Sequence, residues 1–142
     1  LLFDLLSRLH IGGNAMVRLS FYSILLGLIG ALLAIPSGVI DWGGVKREKP
    51  AWKLGLVHMA INLTVTVLFA MNLGVRMSSW KTAETVALTP LILSSVGTLG
   101  LFAGAYLGGR MIYEYGVGVA RRSKQKWRAM AEKGQAAVPQ KD

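Results

Sequence analysis

The sequence predicts an all-α integral membrane protein, a four-helix bundle whose first helix is incomplete in this chain. Three observations carry that prediction. The 142-residue chain is 53% hydrophobic and 16% charged, with the charges gathered outside long uncharged runs, the pattern of a membrane protein rather than a basic nucleic-acid binder. Runs at 19–40, 54–75 and 85–109 are each long enough to cross a bilayer core of about 30 Å at a rise of about 1.5 Å per residue. Within 96–119, Gly100, Gly104 and Gly108 recur every four residues, which on a helix makes one nearly side-chain-free stripe where another helix packs closely in lipid. The runs lack period-two alternation and exceed strand length, which argues against strands.

Taken in order, Leu1–Leu6, with Asp4, reads as the end of a first membrane helix, the rest of it expected before Leu1. Ser7–Arg18 contains Arg8, His10, a Gly12-Gly13-Asn14 turn signal and Arg18, and reads as a loop. The span at 19–40 repeats the small-residue spacing at Gly30, Ala34 and Gly38, and Pro36 predicts a kink near its exit. Asp41, Trp42 and two glycines end that span, and Lys46–Pro50 forms a short charged loop.

Trp52 and Lys53 open the span at 54–75, which has no charge unless His58 is protonated. Arg76–Glu84 reads as a polar loop holding Trp80. The last span begins at Thr85, tolerates Pro90 in its early turns, and reaches about residue 113 before a polar, aromatic exit at Arg110–Tyr115. The bundle thus occupies 1–119. A basic tail at 120–142 follows, expected as a short surface helix and then disorder. Counting Lys and Arg by side gives four (Arg8, Arg18, Arg76, Lys81) against twelve. The excess places the 41–53 loop and the C-terminus in the cytoplasm of a bacterial inner membrane.

The residues with chemical capacity are few. Without cysteine there is no disulfide, thiolate nucleophile or thiolate-bound metal. No nucleophile–base pair, zinc-protease motif, phosphate loop or dinucleotide fingerprint is present, so enzyme chemistry is not expected. His58 sits about 9 Å inside its span on the helical rise, with Asn62 and Thr66 on the same face. One reading is an axial ligand to a haem b iron or a chlorophyll-type magnesium, with Asn62 supporting it. The other, which we favour at this point, is a neutral histidine bonded to Asn62, Ser94 or Ser95 and serving packing.

His10 lies some 20 Å away in depth on helix geometry and cannot share a metal with His58. Asp41, Arg110 and Glu114 are expected together at one interface, as an ion-pair cluster rather than a proton path or quinone site. Trp42, Trp52, Tyr113 and Tyr115 read as an aromatic belt. Arg121, Arg122, Lys124, Lys126 and Arg128 suit an anionic lipid surface better than nucleic acid.

The strings LLAIPSGVIDW (32–42), LVHMAIN (56–62) and LGGRMIYEYGVGV (107–119) resemble a bacterial four-helix membrane family catalogued as domain of unknown function 2231. The resemblance runs over about residues 1–119 and implies fold and location, with no activity attached. It also implies a histidine–proline segment at the start of the first helix, at the depth of His58, which this chain does not show. Such a segment would supply the second metal ligand that His10 cannot.

Together these features lead to an expected function. It is a non-catalytic accessory subunit of a multi-subunit respiratory or photosynthetic membrane complex, surrounded by lipid and by other subunits. The alternative is an electron- or energy-transfer protein that holds a haem or chlorophyll-type pigment through His58.

Overall fold

The computed structural model describes residues 1–117. They form four helices: α1 (Leu2–Arg8), α2 (Gly13–Gly43), α3 (Pro50–Arg76) and α4 (Leu88–Tyr113). There is no strand among the described residues. The three long helices have 31, 27 and 26 residues, and mean hydropathies of 2.2, 1.9 and 1.6 in their most apolar windows, enough to cross a membrane.

The long helices do not end where the uncharged runs end. α2 begins at Gly13 and takes in Arg18, and α3 takes in Trp52 and Lys53 at one end and Arg76 at the other. Three charges expected in loops, Arg8, Arg18 and Arg76, are therefore helical. Hydropathy marks depth in the bilayer, whereas backbone amides need partners wherever they lie, so a helix continues into its interfacial turns. α4 starts at Leu88, three residues later than expected, with Pro90 in its first turn where the missing N–H has no intrahelical acceptor to lose. The turn before α2 does use its glycines: His10, Gly12 and Gly13 all have positive φ, of 58°, 75° and 49°.

Each helix packs on its neighbour in the chain, α3–α4 most extensively, and α1 also meets α4. Among the described residues, α1 packs on α2 and on one part of α4. Most large apolar side chains of the long helices face outward, Leu26, Leu33, Leu99 and Phe102 among them, as expected of surfaces that meet lipid. Outward hydroxyls bond within their own helix. Ser23 donates to the Leu19 carbonyl at 2.7 Å and Thr64 to that of Ala60 at 2.9 Å, which satisfies them without water.

The glycine stripe of α4 sets the close approach of α3. A Cβ on Gly97 would lie 2.9 Å from the Phe69 ring, one on Gly100 would strike Val65, one on Gly104 would lie 3.0 Å from Asn62, and one on Gly108 2.9 Å from His58. Four side chains of α3 thus fill four vacancies on α4. The α2 stripe is different. Around Gly30 and Gly38 there is nothing within 4 Å of a Cβ, so among the described residues no helix packs against them.

Candidate functional site

Beyond the reach of α1, α2 and α3–α4 enclose a groove of about 510 Å³, open on one side. Its α2 wall includes Gly27, Ala31, Ala34 and Gly38, and its opposite wall includes His58, Asn62, Thr66, Thr98 and Leu101. Trp42 closes one end: its indole N–H donates to the Trp52 carbonyl at 3.0 Å and its ring lies against Gly55. Ser20 and Phe3 stand at the α1 end. Of the two small-residue stripes, only the α4 one is occupied by a neighbouring helix among the described residues.

His58 is half-buried and its Nδ1 donates to the Gly104 carbonyl at 2.9 Å. A carbonyl accepts only, so Nδ1 carries a proton, and in the neutral tautomer with that proton the lone pair is on Nε2. Asn62 donates to the His58 carbonyl at 2.8 Å, and the same nitrogen lies 3.3 Å from both ring nitrogens. A point equidistant at that range lies over the ring face, since in the ring plane it would collide with Cε1. The in-plane Nε2 lone pair therefore has no partner among the described residues. Ser94 and Ser95 do not bond His58: Ser95 donates to the Leu91 carbonyl, and Ser94 belongs to a different cluster.

That cluster was not anticipated from the sequence. Asp4 is 0% exposed and Arg76 3% exposed, with Nη1 of Arg76 2.9 Å from Oδ1 of Asp4. The Ser20 hydroxyl donates to Asp4 Oδ1 at 2.5 Å and accepts from Arg76 Nη1 at 3.1 Å. Arg76 Nε donates to Asn72 Oδ1 at 2.7 Å, and Nη2 to the Ser94 hydroxyl at 3.2 Å and the Pro90 carbonyl at 3.4 Å. Asn72 donates to Ser94 and Pro90 in turn. One side chain from α1, one from α2, two from α3 and one from α4 meet here. Asp4 Oδ2 accepts no hydrogen bond among the described residues and lies 3.6 Å from the Leu1 amino group.

The segment between α3 and α4 folds over this cluster. Val86 N–H donates to the buried Ser7 hydroxyl at 3.0 Å, and Asn14 donates to the Ala83 carbonyl at 2.7 Å. Trp80 stacks on Phe21 at 4.5 Å between centroids, with Arg18 and Lys81 near its ring.

The other predicted residues are placed as follows. Arg110 and Glu114 form a bidentate pair at 2.7 and 2.8 Å, and hydrogen bonding to Arg110 holds the Glu114 carboxyl below its ordinary value. Asp41 borders the same shallow pocket as Glu114 but makes no ion pair among the described residues, so the expected three-residue cluster reduces to a pair. Trp52 lies 5.2 Å from Trp42 between ring centroids. Tyr113 is 89% exposed and Tyr115 half-buried. His10 is exposed, away from the groove. Arg121, Arg122, Lys124, Lys126 and Arg128 lie outside the described residues. No group of three His, Cys, Asp or Glu side chains able to hold a metal ion occurs among the described residues.

No curated protein and no solved structure matches the chain. The family described as "Predicted membrane protein (DUF2231)" matches residues 1–121, the region that contains all four helices, the groove and the buried charge cluster. The chain therefore belongs to the DUF2231 family of membrane proteins.

Proposed function

We propose that the protein is a non-catalytic accessory subunit of a larger bacterial inner-membrane complex, and that its α2 helix meets a neighbouring membrane helix. The observation that supports this most is the small-residue face of α2, where nothing lies within 4 Å of a Cβ at Gly30 or Gly38 among the described residues. Along α2, Ser20 to Val39 border the groove, about 28 Å at the helical rise, which is the length of one membrane crossing. The α2 wall is small-residue, and in lipid close backbone approach is what favours helix association.

In this reading the α2–α3 loop and the C-terminus face the cytoplasm. With Arg76 buried in the charge cluster, three Lys/Arg remain on one side against twelve on the other, which sharpens the bias. The basic tail then lies where anionic lipid is available.

The chain has no native cysteine, so single cysteines report position cleanly. Gly38→Cys on the groove wall and Leu33→Cys on the outward face would be compared by cross-linking in native membranes. The expected result is one membrane protein of fixed identity joined at position 38 and not at 33. Adducts at both positions alike, or at 38 only to residues of the same polypeptide, would overturn the partner reading.

A further inference from the structure

We propose that His58 is the axial ligand, through Nε2, of a metal tetrapyrrole seated at the Trp42 end of the groove. This rests on the groove and not on a partner helix. The first support is the ring's hydrogen bonding. An Nδ1–H donated to a backbone carbonyl is the arrangement that fixes a ligating histidine's tautomer and aims Nε2 at a metal, and here the Gly104 carbonyl takes that role at 2.9 Å. The second is the room made for the ring. Gly108 stands where any Cβ would lie 2.9 Å from His58 Cε1, so a side chain at that position would push the imidazole off its carbonyl.

The class of ligand follows from what surrounds the nitrogen. His58 is the only histidine on the groove wall, and no Asp, Glu or second His lines it. A bare ion needs three or four protein ligands, and none is present to supply them. A metal whose four equatorial positions are already filled by a tetrapyrrole needs only the one axial nitrogen. The groove walls, with Met59, Leu63, Leu101 and Val39 among them, offer a planar macrocycle an apolar setting of the kind ligand pockets provide. Asn62 stays bonded to the His58 carbonyl at 2.8 Å, and its position over the ring face leaves the in-plane lone pair clear.

The test is titration of the purified protein in detergent with ferric protoporphyrin IX. The wild type is expected to saturate at one haem per chain with a shifted Soret band, and its ¹⁵N-histidine-labelled form to show nitrogen hyperfine coupling to the iron. His58→Gln keeps an amide N–H for Gly104 but no ligating nitrogen, and should lose the shifted band while retaining its helical circular dichroism. His10→Ala should change neither readout. Equal spectra for wild type and H58Q, or haem bound without histidine coupling, would mean simple partition into an apolar groove and would overturn the proposal. Should H58Q lose its helical signal, the hyperfine measurement on wild type decides alone. Both readouts are independent of the cross-linking that tests the partner helix.

Discussion

At the α1 end of the bundle, a carboxylate and a guanidinium sit out of solvent with donors and acceptors from four helices around them. At the other end His58 has its Nδ1 bonded to Gly104 and lines a groove whose walls are mainly apolar side chains. The first arrangement costs desolvation and recovers it through nearly complete hydrogen bonding. The second leaves a buried-side acceptor available. A closed polar network fixes which helices meet, whereas an open acceptor has capacity for something else.

Breaking the closed end has the largest expected effect. Arg76→Met leaves Asp4 buried without its counter-charge and strands Asn72 and Ser94, and should destabilise the bundle by about 3–5 kcal/mol. Removing both charges, as Asp4→Leu with Arg76→Met, should cost much less, because no unpaired charge remains. Reversible unfolding in mixed micelles checks this as a double-mutant cycle. If the two single changes simply add in the double, the residues do not act as a pair.

The two small-residue stripes give a second contrast. Gly100→Leu drives a side chain into Val65 and should cost about 1–3 kcal/mol through overpacking. Gly30→Leu points into open space and should change the isolated protein's stability by less than about 0.5 kcal/mol. Unfolding of both variants in the same micelles checks the pair, and a large loss from Gly30→Leu would mean that α2 packs differently.

Much of this was legible in the sequence. The spans, their small-residue spacing and the His58–Asn62 face follow from periodicity, because a membrane helix must satisfy its own backbone and therefore announces itself by length and apolarity. The charge cluster was not legible. The apolar runs place Asp4 at a helix end and Arg76 in a loop, since a run-of-apolar criterion stops at the first charge. The available signal was Asn72 and Arg76 four residues apart, on one helix face, with small hydroxyl residues Ser20 and Ser94 on other spans. Pairing them across four elements needs the tertiary structure. The same limit applies to the α2 stripe, which has the spacing of an interface, although spacing cannot say whether a partner lies in the same chain.

Trp42 probes the join between the two halves of the comparison. The sequence placed it in an aromatic belt, but it turns inward, bonding the Trp52 carbonyl and filling the space over Gly55. Trp42→Phe keeps most of the ring volume and deletes the donor, for an expected cost of about 1 kcal/mol. Tryptophan fluorescence of the Trp52-bearing end checks whether the groove's floor loosens while the α1 end holds.

The smallest effect is expected at the Arg110–Glu114 pair, the exposed counterpart of Asp4–Arg76. Both partners are substantially exposed, and exposed pairs contribute little because water and salt screen them. The Glu114 carboxyl is held below its ordinary value by the bond to Arg110. Its folded-state pKa is therefore lower than its unfolded one, and its contribution is fully present above the unfolded pKa. That contribution is lost as pH falls through the folded pKa, below the ordinary carboxylate range. Glu114→Gln should accordingly lower stability slightly at neutral pH, match wild type in strong acid, and lose its effect in high salt. Comparing the pH dependence of unfolding for E114Q and wild type tests this. A difference that persisted in strong acid and in molar salt would mean that Glu114 acts through packing against the α2–α3 loop, and that this end is less open than the α1 end is closed.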